Sequence, residues 1–306
     1  MNFIEDLIQS ITDKRSVVCM GLDPRLDEEG EIPQFLIDEL EDPNKIILEF
    51  NKTLIDNTFD LIPVVKPQIA FYEKYDALNA LKETIKYAHK KDLLVILDSK
   101  RNDIGATSEA YAYSTFKILN ADACTLNAYL GIDGVKPFLR FKEKGIFVLV
   151  KTSNPSSKDF QNLFSADISD VLDSEIEINV EKITLERNYI KMARLVFKWG
   201  EELGQVSSFH NLGVVAGATF PEELKSIRKI VKNSFVLMPG FGAQGATARD
   251  IRYGFNRNGL GGIVNSSRGI IYAYFKNDKF PPRKFGEAAR EKIVKMNEKI
   301  NKEIGL

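Results

Sequence analysis

Two acids and a lysine follow directly on an apolar run in the stretch DLLVILDSKRNDIGAT, residues 92–107. Asp98 and Lys100 are two positions apart, so on a strand their side chains lie on the same side. Asp103 comes three residues later, where the loop begins. A lysine between two carboxylates stays charged and can donate a proton. This spacing therefore predicts acid–base chemistry at the end of a buried strand.

Polar and charged side chains also end or interrupt four other apolar runs. The residues concerned are Asp23, Lys66, the group Lys151, Thr152 and Ser153, and the group Asn265, Ser266, Ser267 and Arg268. If these runs are strands of one barrel, their ends meet over one opening. Charges gathered there cost several kcal/mol unless they are paired. The set predicts either a catalytic centre or a purely structural network of ion pairs.

A glycine motif follows the seventh apolar run: PGFGAQGA spells G-x-G-x-x-G through Gly240, Gly242 and Gly245. A dinucleotide fingerprint belongs to an early βαβ unit, with an acid closing the next strand. Here the next run ends without an acid. In a barrel, the loops after strands seven and eight bind phosphate, and Arg268 can add a guanidinium. We therefore predict a phosphate site, with an ordinary turn as the alternative.

Eight short apolar runs alternate with helical patterns along the chain. The runs span residues 17–24, 61–68, 93–100, 123–129, 145–153, 212–219, 234–242 and 261–269. Near-continuous apolar runs are typical of strands covered on both faces, and strict alternation requires a parallel sheet. Eight such units favour an α/β fold of the (β/α)₈ (TIM) barrel type. We predict one such domain over residues 1–306.

Two helical patterns carry specific expectations. Ala77, Leu81, Ile85 and Ala88 form one apolar stripe at helical spacing. Thr219 and Glu222 have the spacing of a capping box, with Pro221 in the first turn. The alternation is interrupted at residues 154–188, a polar segment longer than the usual loop of about 2–6 residues. This insertion after strand five is either a cover for the site or a surface elaboration.

Composition excludes several classes of protein. The chain has 42 basic and 43 acidic side chains in 306 residues, so no charged surface for nucleic acid or membrane is indicated. No apolar run approaches the roughly 18 residues of a membrane span. Cys19 and Cys124 lie in apolar runs, which fits buried thiols and a cytoplasmic location. The only histidines, His89 and His210, are not at predicted strand ends, which leaves carboxylate-bound Mg²⁺ as the only metal site open.

The stretch LDSKRNDIGAT resembles the D-x-K-R-x-D-I-G-x-T signature of orotidine 5′-phosphate decarboxylases, particularly their longer bacterial subfamily. Five further blocks resemble that family in the same order between residues 17 and 273: GLDPR, VKPQIAFYE, VKTSNPSS, PGFGAQGA and NSSRGIIYA. The resemblance implies a homodimeric (β/α)₈ barrel that converts orotidine 5′-monophosphate to UMP and CO₂ in de novo pyrimidine biosynthesis. It also implies that neither a cofactor nor a metal takes part.

The same resemblance implies roles for individual residues. Lys100 matches the lysine that protonates C6, and Asp98 matches the carboxylate that faces the substrate's own carboxylate. Lys66 matches the lysine that binds the ribose and anchors Asp98. The remaining matches are Asp23 for the ribose, Ser153 for the pyrimidine, Gln244 and Arg268 with Pro239 for the phosphate, and Asp103, Ile104 and Thr107 for the part that reaches into the partner subunit's site.

Three other functions stay open from the residues alone. A Mg²⁺-dependent sugar-phosphate decarboxylase or aldolase shares the D-x-K-x-x-D pattern and would lose activity with EDTA. A sensor on a retained barrel would bind nucleotide without turning it over. A Schiff-base aldolase would be trapped by borohydride at Lys100 or Lys66 with a keto-sugar phosphate.

Overall fold

A computed structural model of the chain describes residues 2–166, 184–242, 245–275 and 279–306. Within these residues, eight parallel strands close into a barrel in the order β1, β2, β3, β4, β5, β8, β9, β10. The barrel strands are β1 Val18–Leu22, β2 Val64–Pro67, β3 Leu94–Arg101, β4 Ala123–Leu126, β5 Gly145–Lys151, β8 His210–Ala216, β9 Ser234–Met238 and β10 Gly262–Ser266. Each overlaps one of the eight predicted runs, so the predicted (β/α)₈ barrel is confirmed.

Helices surround the barrel and alternate with its strands. They are α1 Phe3–Lys14, α2 Gln34–Leu40, α3 Pro43–Thr58, α4 Ile69–Lys74, α5 Leu78–Lys90, α6 Gly105–Tyr113, α7 Ile132–Leu139, α8 Asn188–Glu201, α9 Pro221–Ile230, α10 Ala248–Ile251, α11 Arg268–Ile271 and α12 Phe285–Ile304. In the described parts of the chain, no helix has the length and apolar character needed to cross a membrane.

Burial follows the sequence pattern closely. The strands β1, β2, β4, β9 and β10 are buried at every position, as expected for strands covered by helices outside and side chains inside. The apolar stripe predicted for α5 is also buried, with Ala77, Leu81, Ile85 and Ala88 all 1% exposed or less. Cys19 and Cys124 are free thiols in this core.

The capping box predicted for α9 is wrong. The helix begins at Pro221, and its N-cap is Phe220, which makes no side-chain capping bond. Thr219 therefore lies one residue before the N-cap, too far to serve as the cap. Its hydroxyl donates to the carbonyl oxygen of Ser153 at 3.5 Å instead, which ties it to the loop after β5.

The amino-terminal helix closes the lower end of the barrel. The backbone N–H of Phe3 donates to the carbonyl oxygen of Glu143 at 2.9 Å, just before β5. Its ring packs edge-on against Phe147, with 6.1 Å between ring centroids. Gly145 makes this possible, because an added Cβ would lie 2.2 Å from the Phe3 ring. The lower end is thus filled, and the cavity described below opens at the other end.

Part of the predicted insertion forms a small hairpin after β5. A 3₁₀ turn at Pro155–Asp159 is followed by β6 Phe164–Ala166, which pairs antiparallel with β7 Leu185–Arg187. Helix α8 then begins at Asn188. Residues 167–183, which belong to the predicted insertion, lie outside the described residues. Its role as a cover for the site stays a prediction.

The Arg228 side chain holds together the loops that precede β9 and β10 at the lower end of the barrel. This α9 side chain is 8% exposed, and its guanidinium donates to the carbonyl oxygens of Gly254, Gly261, Val231 and Ser234. Five donors in a rigid fork suit an arginine to this task. Burial lowers the pKa of Arg228 to about 10, so it remains charged at neutral pH.

We expect Arg228→Met to destabilise the protein by about 3 kcal/mol, because four carbonyl groups lose a charged donor in a buried setting. Urea unfolding at pH 7 measures this loss. Arg249→Met is the matched control: Arg249 is an exposed arginine of α10, and its loss should change the free energy of unfolding by less than about 0.5 kcal/mol. Equal effects of the two substitutions would contradict this role for Arg228.

Candidate active site

A cavity of about 570 Å³ lies at the carboxyl ends of the barrel strands. Most of the predicted site residues line it. They are Asp23, Lys66, Asp98, Lys100, Ser153, Pro239 and Arg268, and further lining residues include Arg25, Phe71, Thr125, Thr152, Asn154, Asn265 and Ser267. Barrel enzymes carry their active sites at this end. Sequence reasoning therefore placed residues from six different strand ends in one cavity.

One carboxylate lies at the centre of the cavity floor. Lys66 Nζ donates to Asp98 Oδ2 at 2.5 Å, and Lys100 Nζ donates to Asp98 Oδ1 at 2.5 Å. Thr125 Oγ1 also donates to Asp98 Oδ1, at 2.7 Å. Strands β2, β3 and β4 supply these groups side by side, because β2 and β4 are the barrel neighbours of β3. Asp98 thus joins two ammonium groups.

Burial differs sharply within this cluster. Lys66 is 4% exposed and Asp98 is 7% exposed, whereas the Lys100 side chain is 42% exposed and lines the cavity. Two of the three charges, those of Lys66 and Asp98, are therefore buried in the cavity floor. The third presents its ammonium group to whatever enters the cavity.

Both buried groups keep their charges. Burial alone would lower the pKa of Lys66, but the Asp98 carboxylate, with Asp23 in support, outweighs it and raises the pKa above the ordinary value. Burial alone would raise the pKa of Asp98. The ammonium groups of Lys66 and Lys100 outweigh that effect and hold its pKa well below the usual range. At neutral pH the floor therefore contains an anion flanked by cations.

Strand β3 is irregular where it carries these residues. Its register against β4 shifts between Leu97 and Arg101, and Lys100 has a positive φ of 48°. Bulges next to active sites re-aim side chains, and a non-glycine residue in this region is strained. The backbone N–H of Lys100 donates to Thr125 Oγ1 at 3.1 Å, which holds the irregular segment. Asp98 and Lys100 meet as predicted, but through this distorted strand rather than regular alternation.

Thr125 is a site residue that sequence reasoning missed. Its hydroxyl contacts both Asp98 and the backbone of Lys100. A threonine inside the run ACTLNAY looks like an ordinary β-branched strand residue. Its position in the sequence was the available signal, because Thr125 is the only hydroxyl-bearing residue of β4, an otherwise apolar strand that neighbours β3.

Three residues that line the cavity each have a buried polar atom without a hydrogen-bond partner within the described part of the chain. The atoms are Asp23 Oδ1, Asn265 Oδ1 and Ser267 Oγ. Buried polar atoms are normally hydrogen-bonded, so unpaired ones at a cavity indicate where a polar ligand binds. Two of them lie at the end of β10, close to Arg268.

The glycine motif forms the rim beside Arg268. Gly240, Gly242 and Gly245 have φ values of 101°, 72° and 93°, a region that favours glycine. The loop closes on itself, since the N–H of Gly242 donates to the carbonyl oxygen of Ala246 at 3.0 Å. Pro239 and Arg268 line the cavity as predicted. The predicted phosphate residue Gln244 lies outside the described residues.

A second buried lysine holds the loop after β5. Lys151 is 1% exposed, its Nζ donates to Ser157 Oγ at 2.5 Å, and it lies 4.4 Å from the centre of the Phe220 ring. Burial lowers the pKa of Lys151. Gly217 packs against Ser153, where an added Cβ would lie 2.9 Å from its Cα. These contacts fix the segment that carries Ser153 at the cavity wall.

The two histidines are used elsewhere, as the sequence indicated. His89 Nε2 is 2.9 Å from a carboxylate oxygen of Asp122, on the outside of the barrel. His210 is 1% exposed, and its Nδ1 is 3.0 Å from the carbonyl oxygen of Gly204. Neither belongs to the residues that line the cavity.

Comparison with known proteins identifies the family. The model of the orotidine 5′-phosphate decarboxylase / HUMPS family matches residues 16–278. The orotidine 5′-phosphate decarboxylase of Petrotoga mobilis is 39% identical, and the match covers 99% of this chain and 100% of that protein. That of Clostridium kluyveri is also 39% identical, over 98% of this chain and 97% of the relative. The chain belongs to the orotidine 5′-phosphate decarboxylase / HUMPS family.

Solved structures agree with this assignment. Leishmania donovani OMP decarboxylase is 29% identical, with a TM-score of 0.72 over 97% of this chain and 99% of that one. The Methanocaldococcus jannaschii orotidine 5′-monophosphate decarboxylase complexed with the inhibitor BMP has a TM-score of 0.59 at 19% identity, over 93% of this chain and 98% of that one. This second likeness supports the barrel fold alone. The resemblance stated from the sequence motifs is therefore confirmed at the level of the family.

Three predicted residues do not line the cavity of their own chain. Asp103, Ile104 and Thr107 lie at the start of α6, and Ile104 and Thr107 are exposed. The Asp103 carboxylate accepts a hydrogen bond from the N–H of Ile104 at 2.8 Å. The sequence resemblance to this family assigns the three positions to the neighbouring subunit's site. Their exposure is compatible with that assignment, which stays a prediction.

We expect Asp98→Asn to destabilise the fold by about 3 kcal/mol at pH 7, because the buried Lys66 ammonium loses its counter-charge. The folded-state pKa of Asp98 is lowered, so its contribution is complete above the unfolded-state pKa of about 4 and declines as pH falls further. Urea unfolding of wild type and Asp98→Asn at pH 7, 5 and 3.5 measures this. The difference between their free energies of unfolding should be the same at pH 7 and pH 5 and smaller at pH 3.5.

Asp133→Asn provides the control for this series. Asp133 is an exposed acid of α7, and its loss should leave stability nearly unchanged at every pH. A difference between wild type and Asp98→Asn that does not shrink at pH 3.5 would show that the Asp98 charge is not what stabilises the floor.

Proposed function

We propose that this protein converts orotidine 5′-monophosphate to UMP and CO₂ in pyrimidine biosynthesis. The observation that carries the proposal is the Lys100 ammonium group, which lines the cavity and is paired with a carboxylate that stays ionised. Curated relatives that are 35–39% identical over nearly the whole chain are named as this enzyme, which favours it over other members of the family.

The reaction needs a proton at one ring carbon. Loss of CO₂ breaks the bond between C6 and the carboxylate and leaves the electron pair on C6, in the plane of the ring. A positive group nearby stabilises that carbanion, most strongly where water is excluded. Lys100 Nζ then transfers its proton to C6 and becomes a neutral amine, which regains a proton from water. Lys100 is thus the general acid.

Asp98 has two functions in this scheme. It keeps the Lys100 ammonium oriented through the 2.5 Å hydrogen bond. The sequence resemblance also assigns it to the position that faces the substrate's carboxylate. Lys66 and Thr125 hold Asp98 in turn, so the carboxylate cannot rotate away from Lys100. Fixed charges of this kind need no rearrangement when the transition state forms.

The rest of the nucleotide has matching groups around the cavity. The phosphate binds at the glycine loop of residues 239–246, where backbone N–H groups and Arg268 meet the anion and Gln244 adds an amide. The ribose lies near Asp23 and Lys66, and the pyrimidine lies near Ser153. Asp23 Oδ1, Asn265 Oδ1 and Ser267 Oγ gain partners when this polar ligand binds.

The scheme uses neither a cofactor nor a metal, because the proton, the charge stabilisation and the binding groups all come from side chains. The alternatives based on Mg²⁺ or a Schiff base are tested by EDTA and by borohydride, neither of which should reduce turnover. We place the enzyme in the cytoplasm, where its buried free thiols Cys19 and Cys124 remain reduced.

A second copy of the chain is the proposed partner. Exposed apolar side chains extend from α6 to the hairpin and form the apolar patch, which consists of Ile104, Tyr129, Leu130, Phe160, Leu163, Phe164 and Leu185. Parts of the patch lie close together: Asp103, which precedes Ile104, and Leu130 both lie beside Gly134, and the Tyr129 ring contacts the Phe160 ring. Such a patch is typical of an interface. It would bring Asp103 and Thr107 to the partner's cavity.

The hairpin after β5 is the proposed cover. It continues from Ser153 and Asn154, which line the cavity, and Gln161 ties its base by two hydrogen bonds of 2.9 Å to Thr152. Segments of this kind close over substrates and exclude water, often with energy from phosphate binding. Its position favours a role at the site over a surface elaboration.

We expect Lys100→Ala to reduce turnover of orotidine 5′-monophosphate by at least about 100-fold, because the general acid is lost. The fall in ultraviolet absorbance on decarboxylation measures turnover, and titration with 6-azauridine 5′-monophosphate measures binding, which should persist. Lys90→Ala, an exposed lysine of α5, is the matched control and should retain full activity.

A wild-type protein that binds the nucleotide but never turns it over would overturn the proposed function. A Lys100→Ala protein that retains wild-type turnover would instead overturn the role of Lys100 as the general acid.

We expect co-expressed Lys100→Ala and Asp103→Ala chains to recover about a quarter of wild-type activity, since random pairing restores one complete site in half of the dimers. Each variant alone should be nearly inactive. Steady-state assays of the mixture, with its dimer content checked by sedimentation, make the measurement. Activity no higher than that of the separate variants would remove Asp103 from the partner's site.

A further inference from the structure

The loop after β1 is bonded to the segment that carries Arg268. Tyr272 lies four residues after Arg268 and is 1% exposed. Its hydroxyl donates to the carbonyl oxygen of Asp23 at 2.8 Å and accepts from the N–H of Arg25 at 3.0 Å. One phenol therefore satisfies two backbone groups that flank the predicted ribose site.

A second tyrosine extends this attachment along the same loop. Tyr274 donates its hydroxyl hydrogen to the carbonyl oxygen of Gly30 at 2.8 Å. Gly30 has a φ of 77° and faces the Phe275 ring so closely that an added Cβ would lie 2.1 Å from it. The loop of residues 23–31 is thus held to residues 272–275 at both of its ends.

The hydroxyl group of Tyr272 is separable from the packing of its ring. The ring stacks on Phe50 at 6.1 Å and lies 6.0 Å from the Arg25 guanidinium. Burial raises the pKa of Tyr272, so the phenol stays a neutral donor across the working pH range. Phenylalanine would keep the ring contacts and remove only the two hydrogen bonds to the loop.

We propose that Tyr272 is a positioning residue that couples phosphate binding at Arg268 to the placement of Asp23 at the other end of the ribose. The proposal rests on the function given above. When Arg268 engages the phosphate, the segment of residues 268–275 is fixed, and Tyr272 fixes the Asp23 backbone with it. Binding energy from the phosphate is then used to orient the ribose.

A double-mutant cycle separates this coupling from a merely structural role. We expect Tyr272→Phe to lower kcat/KM for orotidine 5′-monophosphate about 10-fold, because the segment fixed by the phosphate no longer fixes the Asp23 backbone. Arg268→Ala should raise KM strongly. In the Arg268→Ala background, Tyr272→Phe should cause little further loss, because the phosphate no longer fixes the segment. Orotidine, which lacks the phosphate, should be converted equally by wild type and Tyr272→Phe.

Tyr72→Phe is the matched control. Tyr72 is also fully buried, and its hydroxyl donates to the carbonyl oxygen of Leu22, one residue before Asp23. It belongs to α4, and within the described residues its hydroxyl bonds to Leu22 and Asn51 and not to the Arg268 segment. Its effect should therefore multiply with that of Arg268→Ala. It should also affect both substrates equally.

Effects of Tyr272→Phe and Arg268→Ala that simply multiply would overturn the proposal. If Tyr272→Phe does not fold, the same cycle is made with Tyr274→Phe, and multiplying effects there count equally against it. The cycle is repeated by calorimetric titration with UMP and uridine. A wild-type protein without turnover refutes the proposed function, whereas the binding cycle still decides whether Tyr272 couples the two ends.

Discussion

The arrangement of the site depends on one carboxylate that lies between two ammonium groups. Asp98 is buried, and it remains ionised only because Lys66 and Lys100 both donate to it. Burying these charges is costly unless their geometry is good and their remaining atoms are bonded. A closed barrel meets this condition, because the neighbouring strands β2, β3 and β4 are held at fixed spacing and Thr125 donates a third hydrogen bond to the carboxylate.

The barrel and the central charges could be predicted from the sequence for the same physical reason. Strands covered on both faces are nearly continuous apolar runs, so a charged residue at the end of one stands out. Asp98, Lys100 and Lys66 were recognisable in this way, and the structure brings them within hydrogen-bonding distance. Arg268 was recognisable because it follows the strand next to a glycine loop.

Other features depend on contacts between distant parts of the chain and carry little local signal. Thr125 resembles any strand threonine, and the bonds of Lys151 to Ser157 and of Tyr272 to Asp23 arise from packing. The capping box at Thr219 failed because helix α9 begins one residue later than that spacing requires. The role of Asp103 depends on a second chain, so neither the sequence pattern nor one chain's structure determines it.

The central claim is that Lys100 delivers its proton to C6, and a crystal structure with bound 6-azauridine 5′-monophosphate tests it most directly. The account predicts Lys100 Nζ at hydrogen-bond distance, about 3 Å, from ring position 6, with Asp98 on its other side and the phosphate between the glycine loop and Arg268. A Lys100 side chain that points into solvent, or a nucleotide whose position 6 faces another residue, would contradict it.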